Sequence, residues 1–283
     1  MGLFLQKVAI VTDSTCDIPE KIIEDLGIIV VPLKVYMDEE VFTAGIDLTS
    51  KEFYEKMVTL KDTPSTEPPS FSTFYEAYED TTDLAESIIS LHISELMSET
   101  LRYAQEARKM LPHVDIRIYD AYTTGASLGL VVIKAAISAK EGKNMEEICV
   151  IVEEAIRNTR VIGIAETLKY LIKGGRIGRA RGLIGTLLGM VPILNVYMGE
   201  TSSVATTNGV DNAIAWIIQF LKEEGLNANS RVALTHGNNW ELATKFTNLI
   251  KMEFKCQMQF IGLVGPVVGA HLGPGSLYFA YMK

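Results

Sequence analysis

The sequence has few cysteines, and their positions argue against two kinds of structural site. Cys16, Cys149 and Cys256 are the only three in 283 residues, and no two of them form a CxxC pair. This spacing favours neither a disulfide framework nor a zinc site, and it is typical of proteins that work in a reducing compartment. The four histidines likewise show no HExxH spacing. We therefore expect no metal ion and no cofactor.

A long apolar run is also missing from the sequence. No stretch approaches the roughly 20 consecutive apolar residues that a membrane-spanning helix requires. The first residues, MGLFLQK, do not combine a basic start with a long apolar core, so they do not resemble a secretory signal. We expect a soluble cytoplasmic protein without stable insertion into a membrane.

Positive charge is in the minority along the chain. Lys and Arg together number 26 against 35 for Asp and Glu, and the formal net charge is −9. A protein that binds nucleic acid needs a broad basic face to neutralise phosphates. The charge balance therefore predicts that nucleic acid is not a partner.

The first half of the chain alternates short apolar runs with helical patterns. The runs predict strands at residues 7–12, 28–36, 88–93 and 116–119, and residues 37–40 predict a turn that closes a hairpin. Strands that alternate with helices are typical of parallel crossovers. We predict an N-terminal α/β domain, residues 1–157, in which helices cover a parallel sheet.

The second half has a different rhythm. It contains strand-like segments at residues 161–166, 191–197, 203–207, 232–235, 258–263 and 277–281, with helices at 210–224 and 240–251. We predict a C-terminal α/β domain, residues 158–283, with a mixed sheet and a ligand cleft between the two domains. The hairpin near residues 30–45 is a candidate to pack with this second domain.

Polar residues follow several of the predicted parallel strands. Ser14 comes after the first strand within Asp13-Ser14-Thr15, and Ser94 and Asp120 follow two later strands. In open α/β sheets the ligand lies beyond the carboxyl ends of the strands, so these side chains are candidates for binding. Hydroxyl side chains at such positions also cap helices, and that interpretation remains open.

The segment from Lys169 to Leu194 concentrates positive charge in an acidic chain. It reads KYLIKGGRIGRARGLIGTLLGMVPIL and carries Lys173, Arg176, Arg179 and Arg181 among its glycines. Backbone N–H groups and guanidinium groups suit an anion, although a solvated basic turn is the alternative. We predict a helix over Leu183 to Ile193 that lines an apolar pocket.

Five motifs together resemble the DegV family of bacterial lipid-binding proteins. They are VTDSTCDIP (residues 11–19), TEPPSFSTF (66–74), SELMSET (94–100), LKYLIKGGRIGRARGLIGTLLGMVPIL (168–194) and GPVVGAHLGPGSL (265–277). They span nearly the whole chain in the order typical of the family. The resemblance implies two α/β domains that hold one long-chain fatty acid, such as palmitate, stearate or oleate. It also implies a possible partner, a separate ATP-using subunit of a fatty acid kinase.

The resemblance assigns roles to individual residues. Thr66 and Ser94 match hydroxyls that bind the ligand carboxylate, His271 matches a histidine near it, and Arg176 matches the arginine of the KGGR segment. Two departures from the family pattern, Glu67 in TEPPS and Glu99 in SET, place extra carboxylates near the expected head group. From the cation count we expect the basic loop, residues 173–181, to serve mainly the partner.

Two other functions compete with fatty acid binding. A hydrolase would use Ser94 as nucleophile and His271 as base, but no GxSxG elbow surrounds Ser94. A phosphate-binding module would use GGRIGRARG, but this segment lacks the GxxxxGK[ST] pattern and follows a predicted helix. We therefore predict a binding protein without catalytic residues, with Thr66, Ser94, His271, Arg176 and Ser14 as its ligand-binding residues.

Overall fold

The computed structural model describes residues 6–185 and 189–283. Its first sheet has four strands, β1 (Ala9–Asp13), β2 (Ile29–Val31), β6 (Ser87–His92) and β7 (Asp115–Asp120). Their order is β2-β1-β6-β7, and every pair is parallel. The parallel sheet predicted from strand–helix alternation is thus confirmed. Every residue of β1 and β6 is buried, as expected for a parallel sheet covered on both faces.

Helices cover both faces of this sheet. They are α1 (Glu20–Leu26), α3 (Phe71–Thr82), α4 (Thr100–Lys109), α5 (Gly125–Lys140) and α6 (Met145–Asn158). Twelve of the 16 residues of α5 are buried, because this helix contacts strands of both large sheets. A helix that is apolar on all sides belongs in the interior, and α5 joins the two halves of the chain.

A small antiparallel sheet is inserted in the sequence between β2 and β6 of the parallel sheet. It comprises β3 (Lys34–Met37), β4 (Glu40–Thr43) and β5 (Ser65–Glu67) in the order β4-β3-β5, and α2 (Ser50–Met57) follows β4. The single strand predicted over residues 28–36 is wrong, because Pro32 separates β2 from β3. Proline has no N–H to donate, so pairing is interrupted there and the two pieces enter different sheets.

The second large sheet is mixed, as predicted. Its strands are β8 (Thr159–Ile164), β9 (Met190–Tyr197), β10 (Glu200–Asn208), β11 (Arg231–His236), β12 (Gln257–Leu263) and β13 (Leu277–Met282). They are ordered β10-β9-β8-β13-β11-β12. In the described part of this sheet, β11 and β12 pair in parallel and the other neighbours pair antiparallel. The accompanying helices are α7 (Lys169–Lys173), α8 (Val210–Glu223), α9 (Trp240–Phe254) and α10 (Pro266–Leu272).

The helix predicted over Leu183 to Ile193 is wrong in its described part. A 3-10 helix, Gly178–Leu183, ends where the prediction begins, and Met190 already lies in β9. Residues 186–188 of that prediction lie outside the described residues. Gly185 and Gly189 have φ angles of 84° and 72°, a left-handed conformation that does not continue a helix.

The two faces of the mixed sheet enter different cores. On one face Val161, Tyr278 and Ala280 join a core that also contains α5 and residues of the N-terminal sheet. On the other face Ile162 and Phe279 pack with residues of α8 and α9. Within the described residues, no helix combines the length and apolar character needed to cross a bilayer.

Glycine in β8 permits close contact with the neighbouring strand. A Cβ on Gly163 would lie 2.3 Å from the carbonyl oxygen of Leu277 in β13, whereas one on Gly262 in β12 would meet no atom within 4 Å. Both residues lie in the same sheet and neither has a positive φ. Comparing substitutions at Gly163 and Gly262 therefore distinguishes the effect of local packing from the general effect of replacing glycine in a strand.

We predict that Gly163→Ala lowers the free energy of unfolding by about 1–3 kcal/mol or more, because backbone atoms cannot yield without disturbing strand pairing. Urea denaturation of the two variants measures the difference. Gly262→Ala should unfold close to the wild type, and equal destabilisation of both variants would contradict the packing argument.

Candidate functional site

The described residues enclose a largely apolar pocket where the small sheet, the mixed sheet and α10 meet. It contains about 830 Å³ of space, its open mouth included. Apolar side chains form most of its wall, among them Leu33, Ile93, Met97, Val161, Ile164, Leu171, Leu194, Val196, Val267, Val268, Leu272 and Leu277. A wall of this kind suits an alkyl chain, since it offers dispersion contacts and almost no hydrogen-bonding groups.

Thr66 and His271 meet in this pocket although 205 positions separate them. Thr66 lies in the three-residue strand β5 and His271 in the last turn of α10, and α10 packs against β5. The Oγ1 atom of Thr66 is 2.8 Å from Nε2 of His271. Two residues that the family resemblance assigned to the head group are therefore hydrogen-bonded to each other.

The ring of His271 is held in a place that disfavours its charged form. Burial lowers the pKa of His271 to about 4, and the nearby Arg176 charge contributes in the same direction. His271 is thus neutral at neutral pH. Its Nδ1 atom is enclosed without a hydrogen-bond partner, and a Cβ on Gly174 would lie 2.1 Å from that atom. Only glycine at position 174 leaves room for this ring.

Arg176 turns from the basic loop into the pocket. Its Nε donates to the carbonyl oxygen of Met97 at 3.0 Å, and its Nη1 donates to that of Gly174 at 2.7 Å. Both acceptors are neutral, and the described residues include no carboxylate that bonds this guanidinium. Burial lowers the pKa of Arg176. A half-buried cation without a counter-charge attracts an anion.

The hydroxyls of Ser94 and Ser14 have other partners. Ser94 is fully buried and is not among the described residues that line the pocket. Its Oγ accepts the N–H of Leu96 at 3.2 Å. The Oγ of Ser14 accepts the N–H of Leu33 at 2.9 Å. Both serines thus stabilise the loops after β6 and β1.

Ser98, in the same SELMSET segment, does line the pocket. Its Oγ is 2.8 Å from Oγ1 of Thr100 and accepts the N–H of Thr100 at 3.3 Å. Ser94 is the serine that was predicted to bind, from its place directly after a strand and from its match to the family motif. Ser98 is four residues later. Its position in the SET triplet of the same family motif was the feature of the sequence that could have identified it.

The two unusual glutamates do not enter the pocket. Glu67 is exposed and accepts a hydrogen bond from the hydroxyl group of Tyr36. Glu99 is exposed just before α4 and pairs with Arg102 at 3.0 Å. Neither carboxylate is among the described residues of the pocket wall. A ligand carboxylate at Thr66 would therefore not meet them directly.

Several other polar residues line the pocket and were not selected from the sequence. They are Thr15, Thr124, Asn195, Thr201 and Tyr278. Thr15 ends the Asp13-Ser14-Thr15 turn, which the sequence placed among the candidate residues beyond the first strand. The other four belong to segments whose place around the pocket depends on how the two large sheets pack.

A buried hydrogen-bond network lies behind the pocket. Nδ1 of His92 is 3.0 Å from Oδ2 of Asp13, and Nε2 of His92 is 2.6 Å from Oγ of Ser90. Tyr78 donates to Ser90 at 2.9 Å. All four side chains are fully buried. Because a carboxylate only accepts, Nδ1 of His92 donates to Asp13.

This network has the connectivity of a Ser-His-Asp triad without access to a substrate. Ser90 has no exposed surface and is not part of the pocket wall. The predicted hydrolase pair gains no support either, because Nε2 of His271 bonds Thr66 and the Oγ of Ser94 bonds Leu96. A nucleophile must reach both its base and a substrate, and neither arrangement provides this.

The basic loop does not form the phosphate cradle of a nucleotide-binding module. It follows α7 and continues into the 3-10 helix Gly178–Leu183, so no strand leads into it. Its cations point in different directions. Lys173 pairs with Asp62 and Arg179 with Glu200 on the surface, whereas Arg176 enters the pocket. Within the described part of the chain, no group of three His, Cys, Asp or Glu residues is arranged to hold a metal ion.

Known proteins are similar to this chain over nearly its whole length. A family model described as an uncharacterised protein of the DegV family matches residues 7–283. A DegV domain-containing protein of Caldanaerobacter subterraneus is 34% identical over 273 residues, which cover 96% of this chain and 97% of that protein.

Solved structures share the fold. A DegV family protein from Thermus thermophilus, described by its fatty acid binding, matches with a TM-score of 0.91 and 26% identity over 98% of this chain and 99% of that one. DegV from Bacillus subtilis, described as a fatty acid binding protein, matches with a TM-score of 0.87 and 31% identity over 98% and 100%.

The lowered pKa of His271 predicts a pH effect on stability. As pH falls, the unfolded chain binds a proton at the ordinary pKa of 6.5, whereas the folded chain resists protonation until about 4. The contribution of neutral His271 is therefore complete above pH 6.5 and is lost between 6.5 and 4. We predict that His271→Gln flattens this part of the stability curve by up to about 1.4 kcal/mol per pH unit.

Urea unfolding of the wild type and of His271→Gln at a series of pH values measures this effect. Burial also lowers the pKa of His236 to about 4, but His236 is present in both proteins and cancels in the difference. Parallel stability curves between pH 6.5 and 4 would show that His271 is not held in its neutral form by the fold.

Proposed function

Because the chain belongs to the DegV family, we propose that it binds one long-chain fatty acid in the pocket between its N-terminal and C-terminal sheets. The observation that carries this proposal is the combination of an extended apolar wall with a polar cluster formed by Thr66, Arg176 and His271, in which Arg176 carries a positive charge. The fatty acid binding described for the relatives from Thermus thermophilus and Bacillus subtilis supports it.

The alkyl chain supplies most of the affinity in this proposal. Burying about 16 methylenes at about 0.8 kcal/mol each gives a gross gain near 13 kcal/mol. Lost translational and conformational freedom offsets a large part of that gain. The polar group then sets the orientation of the ligand, since a carboxylate left in the apolar part of the pocket would lose its hydration without compensation.

In this proposal the ligand carboxylate lies at the Thr66 end of the pocket, for electrostatic reasons. Arg176 provides a positive charge that no carboxylate of the described residues neutralises by a direct bond. Thr66 and Ser98 provide hydroxyls, and His271, neutral at neutral pH, can donate from one ring nitrogen. We therefore assign the second serine of SELMSET, rather than Ser94, to the head group. We assign no catalytic residue to the chain.

We further propose that the bound carboxylate is presented to a separate ATP-using kinase subunit, which forms the acyl phosphate in the cytoplasm. Arg179 and Arg181 lie in the same loop as Arg176, and both are at least partly exposed. Their guanidinium groups suit phosphate oxygens, which they bind two at a time. The loop thus divides its cations, with Arg176 on the ligand side and the others on the partner side.

The division of the chain into domains at residues 157 and 158 remains part of this proposal. The junction falls in the last turn of α6, directly before β8, where the N-terminal layers end and the mixed sheet begins. The small sheet precedes the junction but supplies Thr66 to His271. A ligand bound there would therefore contact both halves of the chain.

Removing a head-group hydroxyl should weaken fatty acid binding. We predict that Thr66→Val and Ser98→Ala each lose about 1.5–3 kcal/mol of binding free energy, the usual value for a hydrogen bond to a charged group. This corresponds to roughly a tenfold to hundredfold higher Kd, which displacement of a fluorescent fatty acid measures. Ser94→Ala is the matched control and should bind normally. Unchanged affinity in both test variants would contradict the carboxylate assignment.

Reversing the charge of an exposed arginine in the basic loop should impair phosphorylation by the kinase subunit without impairing fatty acid binding. We predict that Arg181→Glu retains fatty acid affinity but lowers acyl phosphate formation by a cognate kinase subunit roughly tenfold or more, because like charges then oppose docking. Lys251→Glu, an exposed change on α9, controls for net charge. Equal rates for the two variants would contradict the docking role of the loop.

A further inference from the structure

Thr15 and Thr124 form a second polar pair in the pocket wall. Thr15 follows β1 and Thr124 precedes α5, and the N–H of Gly125 donates to the carbonyl oxygen of Thr15 at 2.7 Å. Both threonines line the pocket. Thr15 has no exposed surface and Thr124 only 8%. Their hydroxyls belong to different elements from the Thr66 and His271 pair.

The hydroxyl group of Thr15 already donates a hydrogen bond to Asp13. Oγ1 of Thr15 lies 2.6 Å from Oδ1 of Asp13, which also accepts the N–H of Thr15 at 3.0 Å. A carboxylate can only accept, so the hydroxyl of Thr15 must donate. The buried His92 and the N–H of Ile93 hold the other carboxylate oxygen at 3.0 Å each. Thr15 can therefore act toward any further partner only as an acceptor.

The hydroxyl of Thr124, in contrast, makes no hydrogen bond within the described part of the protein. Its Oγ1 is enclosed and has no hydrogen-bond partner. Thr124 occupies the N-cap position of α5, but its side chain makes no capping bond. The hydroxyls around it are satisfied, since Tyr278 donates to the carbonyl oxygen of Thr124 at 2.9 Å and Thr123 bonds Ser127 at 2.5 Å. Thr124 is therefore a buried residue of the pocket wall whose hydroxyl donor is unsatisfied within the described part of the protein.

We propose that Thr15 and Thr124 form a subsite for a hydroxyl group, so that the pocket accepts long-chain fatty acids hydroxylated along the chain. The ligand hydroxyl donates to Oγ1 of Thr15 and accepts from Oγ1 of Thr124. This inference rests on the proposed fatty acid binding and names a substrate class for that same pocket.

The chemistry of the pair selects a hydroxyl over other groups. A carboxylate has no proton for Thr15, and the Asp13 carboxylate directly behind Thr15 would repel it. A keto oxygen can accept from Thr124 but leaves Thr15 without a donor. A hydroxyl satisfies both partners. A water molecule offers the same chemistry, and the experiment must distinguish the two sources.

The test compares octadecanoic acid with a series of hydroxyoctadecanoic acids that differ in the position of the hydroxyl. Affinities are measured by displacement of a fluorescent fatty acid for the wild type and for Thr124→Val. We expect one or two adjacent positions to bind the wild type at least as well as the plain acid. We expect Thr124→Val to weaken these hydroxylated acids roughly fivefold or more, relative to the plain acid.

Two further variants make the result specific. Thr247→Val removes another buried hydroxyl that has no partner, in α9 and outside the pocket wall, and should leave the preference unchanged. Thr66→Val should weaken hydroxylated and plain acids by the same factor. Because Oγ1 of Thr124 makes no bond within the protein, Thr124→Val should fold with an unchanged or higher Tm, which thermal unfolding verifies.

The outcomes separate the two proposals. If the wild type binds no plain fatty acid, the proposed function itself fails. If plain acids bind but every hydroxylated acid is rejected, or if Thr124→Val leaves the ratio between hydroxylated and plain acids unchanged, the hydroxyl subsite fails. The latter result would indicate that only water uses these two threonines.

Discussion

The arrangement of the pocket depends on the burial of one helix between two sheets. α5 is apolar on nearly all sides and contacts strands of both the parallel and the mixed sheet. Removing such a helix from water is strongly favourable, so it holds the two sheets together. Its first residue also bonds the loop after β1. The loops at the carboxyl ends of the parallel strands are thereby brought against the mixed sheet, and the pocket lies at that boundary.

The charged and titratable groups in and next to the pocket are compensated in different ways. The buried Asp13 carboxylate accepts four hydrogen bonds, from two backbone N–H groups, a hydroxyl and an imidazole, and therefore carries little cost. Arg176 bonds only carbonyl oxygens, and burial keeps His271 neutral. Arg176 is thus a cation of the pocket wall that no carboxylate of the described residues bonds. The same acidic chain keeps its other basic-loop cations at the surface, where carboxylates partly balance them.

Elements with a clear period were predictable, and those set by distant contacts were not. Parallel strands such as β1 and β6 followed from continuous apolar runs. α10 was missed because its seven residues, PVVGAHL, are short and glycine-containing, and its burial against the small sheet stabilises it. The helix predicted from Leu183 was wrong because a run of apolar residues does not by itself distinguish a helix from a strand. Gly185 and Gly189, with positive φ angles, do not continue a helix there.

The sequence by itself determined the class of fold and the family, since periodicity and motif order are local properties of the chain. Its motifs also selected Thr66, Arg176 and His271, which the structure brings together in the pocket wall. Only the tertiary structure decided which hydroxyls face the pocket. Ser94 and Ser98 stand in one motif, yet a local turn occupies the first and only the second lines the wall. Thr66 and His271 meet across 205 positions. Such contacts arise from the packing of whole sheets and helices, whose geometry no local pattern contains.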